Sequence, residues 1–136
     1  MKTLVIALTL FAQSAFALIG ENGKQIEARY GHPKKIGKWG KGGQDRTISY
    51  IAQGFAIDVL FLAGISRGET FSTLDKSTIE EDDIRMVLAI SSEKGQTWQS
   101  FPLLEPNSPP NWQRSDGKVA AFAAGKIVHV YPTFGN

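Results

Sequence analysis

The chain contains no cysteine among its 136 residues. That absence excludes a disulfide scaffold, a thiol nucleophile, a zinc–cysteine site and a lipid anchor attached through an N-terminal cysteine. Net charge is also scarce: 15 lysines and arginines stand against 13 acids, a formal +2. A surface this near neutrality does not imply nucleic acid as a partner. Beyond the N-terminus no apolar run approaches the about 20 residues that a membrane-spanning helix needs. What remains is ordinary for a folded domain, with 42 % hydrophobic and 21 % charged residues, so wholesale disorder is excluded. The length suits one domain.

The first segment reads as an address. Met1 and Lys2 make a short positive start, residues 4–12 are nearly all apolar, and Ala15-Phe16-Ala17 places small residues where signal peptidase reads them. Residues 1–17 are therefore expected to be a secretory signal peptide cleaved after Ala17, and 18–136 a single α+β domain that is periplasmic or secreted. Cleavage removes Lys2, so the mature chain is less basic than the sequence pI of about 8.9 suggests. Without disulfides, such a domain depends on its hydrophobic core.

Residues 22–30 read as a helix. Asn22 is a good N-cap, Gln25 stands three residues on as in a capping box, and Ile26 and Tyr30 share a face. Gly31 and Pro33 end it. Residues 34–46 read as a loop containing four lysines, four glycines, Arg46 and Trp39. Residues 47–52 and 55–62 read as a hairpin through Gln53-Gly54, with Phe55, Ile57, Val59 and Phe61 alternating along the second strand. That strand is apolar on both faces, as a central strand is. After Ala63-Gly64 a third strand, 65–72, carries Arg67 and Glu69 and is expected to be exposed.

Ser77 or Thr78 is expected to cap a second helix ending near Ser92, with Glu80 or Glu81 completing a capping box and Asp82 and Asp83 favouring its positive end. Ile84, Val87, Leu88 and Ser91 mark its core face. Residues 101–110 are proline-rich and cannot be regular, and Trp98 and Trp112 read as cover for the core beside them. A short strand at 112–114, a turn at Asp116-Gly117 and a hairpin of 118–123 and 126–131 through Ala124-Gly125 complete the chain. The expected fold is α+β: an antiparallel sheet of about five to six strands, two helices on one face, in helix-hairpin-helix-hairpin order. No close internal repeat shows, although helix-then-hairpin occurs twice in outline.

The run Tyr30-Gly31-x-Pro33, then Tyr50, then Ile57-x-Val59-x-Phe61-x-x-Gly64 carries a resemblance. Over residues 19–72 the chain resembles the small exported modules of the β-lactamase-inhibitor-protein-like and outer-membrane-assembly lipoprotein (small protein A type) group. The remainder, with its helix start at Thr78 to Glu81 and Trp98, resembles uncharacterised small secreted bacterial proteins that share that opening. The resemblance implies a fold, and partners that are other proteins or envelope complexes. The chain departs from the lipoprotein members in having no cysteine to anchor.

No motif for chemistry emerges. His32 and His129 could serve as base and acid of a small hydrolase, with Lys41 or Lys118 stabilising phosphate, but His32 stands at a turn and His129 in a strand alternation. Glu80, Glu81, Asp82 and Asp83 sit where a helix start favours acids and lack calcium-loop spacing. Asp58 reads as a structural acid, paired with Arg46 or Arg67 or facing solvent. The glycine-rich stretch 37–43 lacks the Lys-Ser/Thr ending of a phosphate loop. No catalytic residue, metal or cofactor is assigned. The candidate contact surface is the basic loop, with Lys34, Lys35, Lys38, Lys41 and Arg46 around Trp39. The chain is thus expected to be a non-enzymatic exported module that binds another envelope or secreted protein. The alternatives are a polyanion or glycan binder through loop 34–46, and a hydrolase using His32 and His129. N-terminal sequencing of the exported protein should begin at Leu18; an intact Met1 would contradict the signal-peptide reading.

Overall fold

The computed structural model describes residues 19–38, 45–93, 95–101 and 110–133, with Lys38 as backbone alone. The signal-peptide segment, Trp39, Lys41 and most of the proline-rich stretch lie outside these residues. The element order is α1 (Gly23–Tyr30), β1 (Lys35–Lys38), β2 (Arg46–Ala52), β3 (Phe55–Leu62), β4 (Ile65–Thr73), α2 (Glu81–Ile90), β5 (Trp98–Ser100), β6 (Asn111–Arg114), β7 (Val119–Ala124) and β8 (Ile127–Pro132). The strands form a single eight-stranded sheet in the order β1-β2-β3-β4-β8-β7-β6-β5. Every described pairing is antiparallel.

This corrects the expected sheet of five to six strands and its helix-hairpin order. The unit is a helix followed by four strands, and it occurs twice. The strand order is a palindrome about the β4–β8 pair, so an approximate two-fold axis normal to the sheet relates the halves. The two strands that the sequence pattern did not reveal, β1 and β5, are the two edges. Edge strands are kept short and charged or polar to resist pairing with other chains. Lys-Ile-Gly-Lys and Trp-Gln-Ser follow that rule, and so carry no alternation to read.

Both helices contribute to one core. Ile26 and Tyr30 of α1 and Val87 of α2 pack with Ile48, Tyr50, Phe55, Ile57, Val59, Phe61, Phe71, Val119, Ala121, Ala123, Val128 and Val130. The period-2 alternation places Phe55, Ile57, Val59 and Phe61 inward, each at most 2 % exposed. Helix α1 is short and depends on its caps. Gln25 N donates to Asn22 Oδ1 at 3.0 Å and Asn22 N to Gln25 Oε1 at 2.9 Å. Gly31 then leaves the helix at φ 84°, a conformation L side chains avoid.

Helix α2 starts at Glu81, later than a Ser77 or Thr78 cap would place it, with Glu80 N donating to Asp83 Oδ2 at 2.9 Å. The reason is tertiary. Ile79 N donates to Gly125 O at 3.0 Å, which holds the approach extended against the β7–β8 turn. The approach to α1 does the same in the other half, where Ser66 N at the start of β4 donates to Glu21 O at 2.8 Å. At its other end α2 is closed by Trp98, whose Nε1 donates to Leu88 O at 2.8 Å and to Ser92 Oγ at 2.6 Å.

Strand β4 is central, which corrects the expectation that Arg67 and Glu69 mark an exposed strand. Glu69 is completely buried. Its Oε2 accepts a hydrogen bond from Tyr30 Oη at 3.1 Å. Asp58 is exposed and accepts from Ser49 Oγ at 2.6 Å; the cation–π partner of Arg46 is Phe61, 5.9 Å from guanidinium carbon to ring centroid.

A second buried ionisable side chain has its partners in place. Arg114, 2 % exposed, donates through Nε and Nη2 to the two oxygens of Asp116 at 3.0 and 2.6 Å, and through Nη1 to Ser91 O at 3.0 Å. This fork ties the β6–β7 turn to the end of α2 and holds the Asp116 carboxyl below its ordinary range. Removing one partner would leave a buried, unpaired guanidinium. Asp116→Ala should therefore cost about 3 kcal/mol in urea unfolding, and adding Arg114→Met should recover part of it. A cost under about 0.5 kcal/mol would show that the fork contributes nothing.

Candidate functional site

Because directly paired residues share a face, the ladders assign the paired strand positions; Arg67, at the register shift in β4, has no ladder partner on β3. One face carries the core and the helices. On the other, Ser49, Asp58, Thr70, His129, Phe122 and Asn111 are successive partners across six strands. Lys35 extends the row to the β1 edge. A neighbouring row brings Tyr131, Ala120, Gln113 and Gln99 together. No described helix packs on this face.

The centre of the face is aromatic. The His129 and Tyr131 rings lie nearly parallel with centroids 5.8 Å apart, and Phe122 packs on both at 5.4 and 6.0 Å. They stand i and i+2 on β8 and directly opposite on β7, so the pleat alone brings them together. Gly68 makes room: a Cβ there would come within 3.4 Å of His129 Cε1. His129 Nδ1 shares a hydrogen bond with Thr70 Oγ1 at 2.9 Å. Burial among these neighbours lowers the His129 pKa below its ordinary 6.5, so the ring is neutral at pH 7. Along these rows the formal charges are Asp58 and Lys35, and exposed Arg67 stands at the register shift of β4 beside Gly68.

The residues singled out from sequence are spread. Lys34 and Lys35 are exposed at the β1 edge, and Lys34 N donates to Ser49 O at 2.7 Å. Part of the expected loop is thus strand. Arg46 is half-buried on the helix side, its Nε without a hydrogen-bond partner. For Lys38 only the backbone is placed, and Trp39 and Lys41 are outside the described residues. The two histidines are not brought together. His32 is exposed and its Nδ1 contacts Glu27 Oε1 of α1 at 2.7 Å, while His129 lies on the opposite face of the sheet.

Among the described residues no relay of nucleophile, base and orienting acid is assembled around His129. Asp58 is bonded to Ser49, and Thr70 is the hydrogen-bond partner the ring has. Among the described residues no three His, Asp or Glu side chains come together as a metal site requires. The face offers ring surfaces and single hydrogen-bonding groups.

Sequence reasoning found His129 and Tyr131 in one alternation but not Phe122, Thr70 and Gly68 beside them. The alternation of β8 was legible; its neighbours depend on which strands pair. No family model, curated protein or solved structure matches the chain.

His129 gives a direct check. Its depressed pKa contributes stability that is present above 6.5 and is lost as pH falls through the folded-state value. NMR titration of its Cε1–H should give a midpoint below 6.5. A midpoint at or above 6.5 would contradict the packing described.

Proposed function

We propose that the chain is an exported, non-enzymatic binding module that docks another envelope or secreted protein on the helix-free face of its sheet. The observation that carries this reading is the Phe122–His129–Tyr131 cluster on a face that no described helix covers. Aromatic anchors surrounded by small polar groups are the usual make-up of a protein-binding centre. The ring packing favours a protein over a sugar: two faces that could stack on a pyranose are turned toward one another. Export rests on the N-terminal sequence, and the resemblance of residues 19–72 to exported protein-binding modules agrees with it.

The alternative surface, Lys34 and Lys35 with the rest of loop 34–46, would take a polyanion or glycan. Capture of partners from the native envelope and medium separates the two. Wild type, Phe122→Ala/Tyr131→Ala and Lys34→Gln/Lys35→Gln would be compared at matched thermal stability. The face reading expects one saturable protein partner, retained by the lysine variant and weakened about tenfold or more by the aromatic variant. Loss in the lysine variant alone, with steep salt dependence, would move the site to the loop. Absence of any saturable protein would overturn the proposal.

A further inference from the structure

Beneath α1 lies a group of ionisable side chains unrelated to the open face. Glu69 projects from the middle of the sheet toward the helix, and its Oε2 accepts from Tyr30 Oη at 3.1 Å. Glu21, 6 % exposed on the approach to α1, has Oε1 held by Arg29 Nη2 at 2.5 Å. Each carboxyl has one buried oxygen without a hydrogen-bond partner: Glu69 Oε1 and Glu21 Oε2. Arg29 acts electrostatically on both acids, and the acids act on one another.

The charge count decides the protonation state. Two buried carboxyls face one guanidinium. From the elements packed around them, the other titratable groups are Tyr30 on α1, Tyr50 and Arg46 on β2 and Glu93 after α2; the one cation among these, Arg46, acts on Tyr50, while the cation acting on Glu21 and Glu69 is Arg29. The register neighbours of Glu69, Val59 and Val130, add no charge. A buried ion without a counter-ion is costly enough that the group takes a proton instead.

We propose that Glu21, Arg29, Tyr30 and Glu69 form a one-proton latch that holds α1 on the sheet, and that loss of the proton releases α1 while the sheet stays folded. Glu69 carries the proton, because Arg29 is already bonded to Glu21. While protonated, Glu69 is neutral and its carboxyl matches its apolar surroundings. Once ionised, it leaves two negative charges and one positive charge beneath α1, and lifting α1 brings water to Glu69. The helix is suited to opening: it is short, it anchors through Ile26 and Tyr30, and its lead is pinned by bonds to Ser66. Its departure exposes Ile48 and Tyr50.

The sign follows from the shift. Burial pushes the Glu69 carboxyl from 4.5 up to about 8, against the lesser opposing effects of Tyr30 and Arg29. The folded state therefore holds a proton that the unfolded chain releases. Stability is greatest at acid pH and is lost as pH rises from 4.5 through about 8.

Amide hydrogen exchange on the mature protein tests this at pH 6.5 and pH 9, after correction for intrinsic rates. Protection of α1 relative to β3 should fall about thirtyfold between pH 6.5 and pH 9, since opening gains tenfold per pH unit up to the titration midpoint near 8 and levels off beyond it. Glu69→Gln keeps an acceptor for Tyr30 and should abolish the loss. Glu21→Gln frees Arg29 for Glu69 and should abolish it as well, which keeps the test available if the first variant does not fold. Equal α1 protection at both pH values in wild type, joint loss of α1 and β3, or an undiminished loss in a folded variant would each overturn the latch.

Discussion

The β4–β8 ladder is the constraint on which everything else depends. Glu69–Val130, Thr70–His129, Phe71–Val128 and Ser72–Ile127 are its four pairs. They join two units that each consist of a helix and four strands. Because side chains alternate, the same four pairs decide which face each half presents. Phe71, Val128 and Val130 go to the core, while Thr70, Ser72, Ile127 and His129 go to the open side. A slip of one residue would bury His129 and expose Phe71. The ladder thus builds the core and the candidate binding face in one step.

The two-fold arrangement is not followed by the charges. Where the halves meet, β4 contributes a buried acid and β8 a valine. One half ties its helix to the sheet through Tyr30, Arg29, Glu21 and Glu69. The other ties its helix end to a turn through Arg114, Asp116 and Ser91. Arg114 is satisfied by a bidentate carboxylate and a helix-terminal carbonyl, which makes it a fixed joint. The α1 cluster has two acids for one base and two orphaned oxygens, which makes it responsive to pH. Two copies of one supersecondary unit have thereby come to differ in how firmly each helix is held.

Local signals in the sequence were read well where local physics decides. The Asn22–Gln25 capping box, the end of α1 at Gly31, and the alternation of β3 follow from short-range rules, and the structure places them accordingly, although Gly31 combines its positive φ with an extended ψ of −166° instead of a left-handed cap. The strand count was not legible, because the edges are built from Lys-Ile-Gly-Lys and Trp-Gln-Ser, residues that suppress strand signals for a physical reason. Glu69 suggested exposure because isolated acids seldom enter a core; only the position of Tyr30 and the palindromic strand order show why this one does. The start of α2 depended on a bond from Ile79 to Gly125, far away in sequence. The candidate face failed to show for a similar reason: His129, Phe122, Thr70 and Gly68 come from three strands whose pairing is long-range. The basic loop drew notice through composition, yet its Arg46 folds over Phe61.

The central claim is that the sheet has one face closed by helices and one left for a partner. Hydroxyl-radical footprinting tests it directly, on the purified mature protein and on the protein in its native envelope or medium. In the purified protein Phe122, His129 and Tyr131 should be oxidised while Tyr30, Tyr50 and Phe71 are protected, and in the native setting the first three should become protected while exposed Met86 on α2 stays reactive. Unchanged reactivity of Phe122 and Tyr131 in the native setting, or protection spread equally to Met86, would contradict the account.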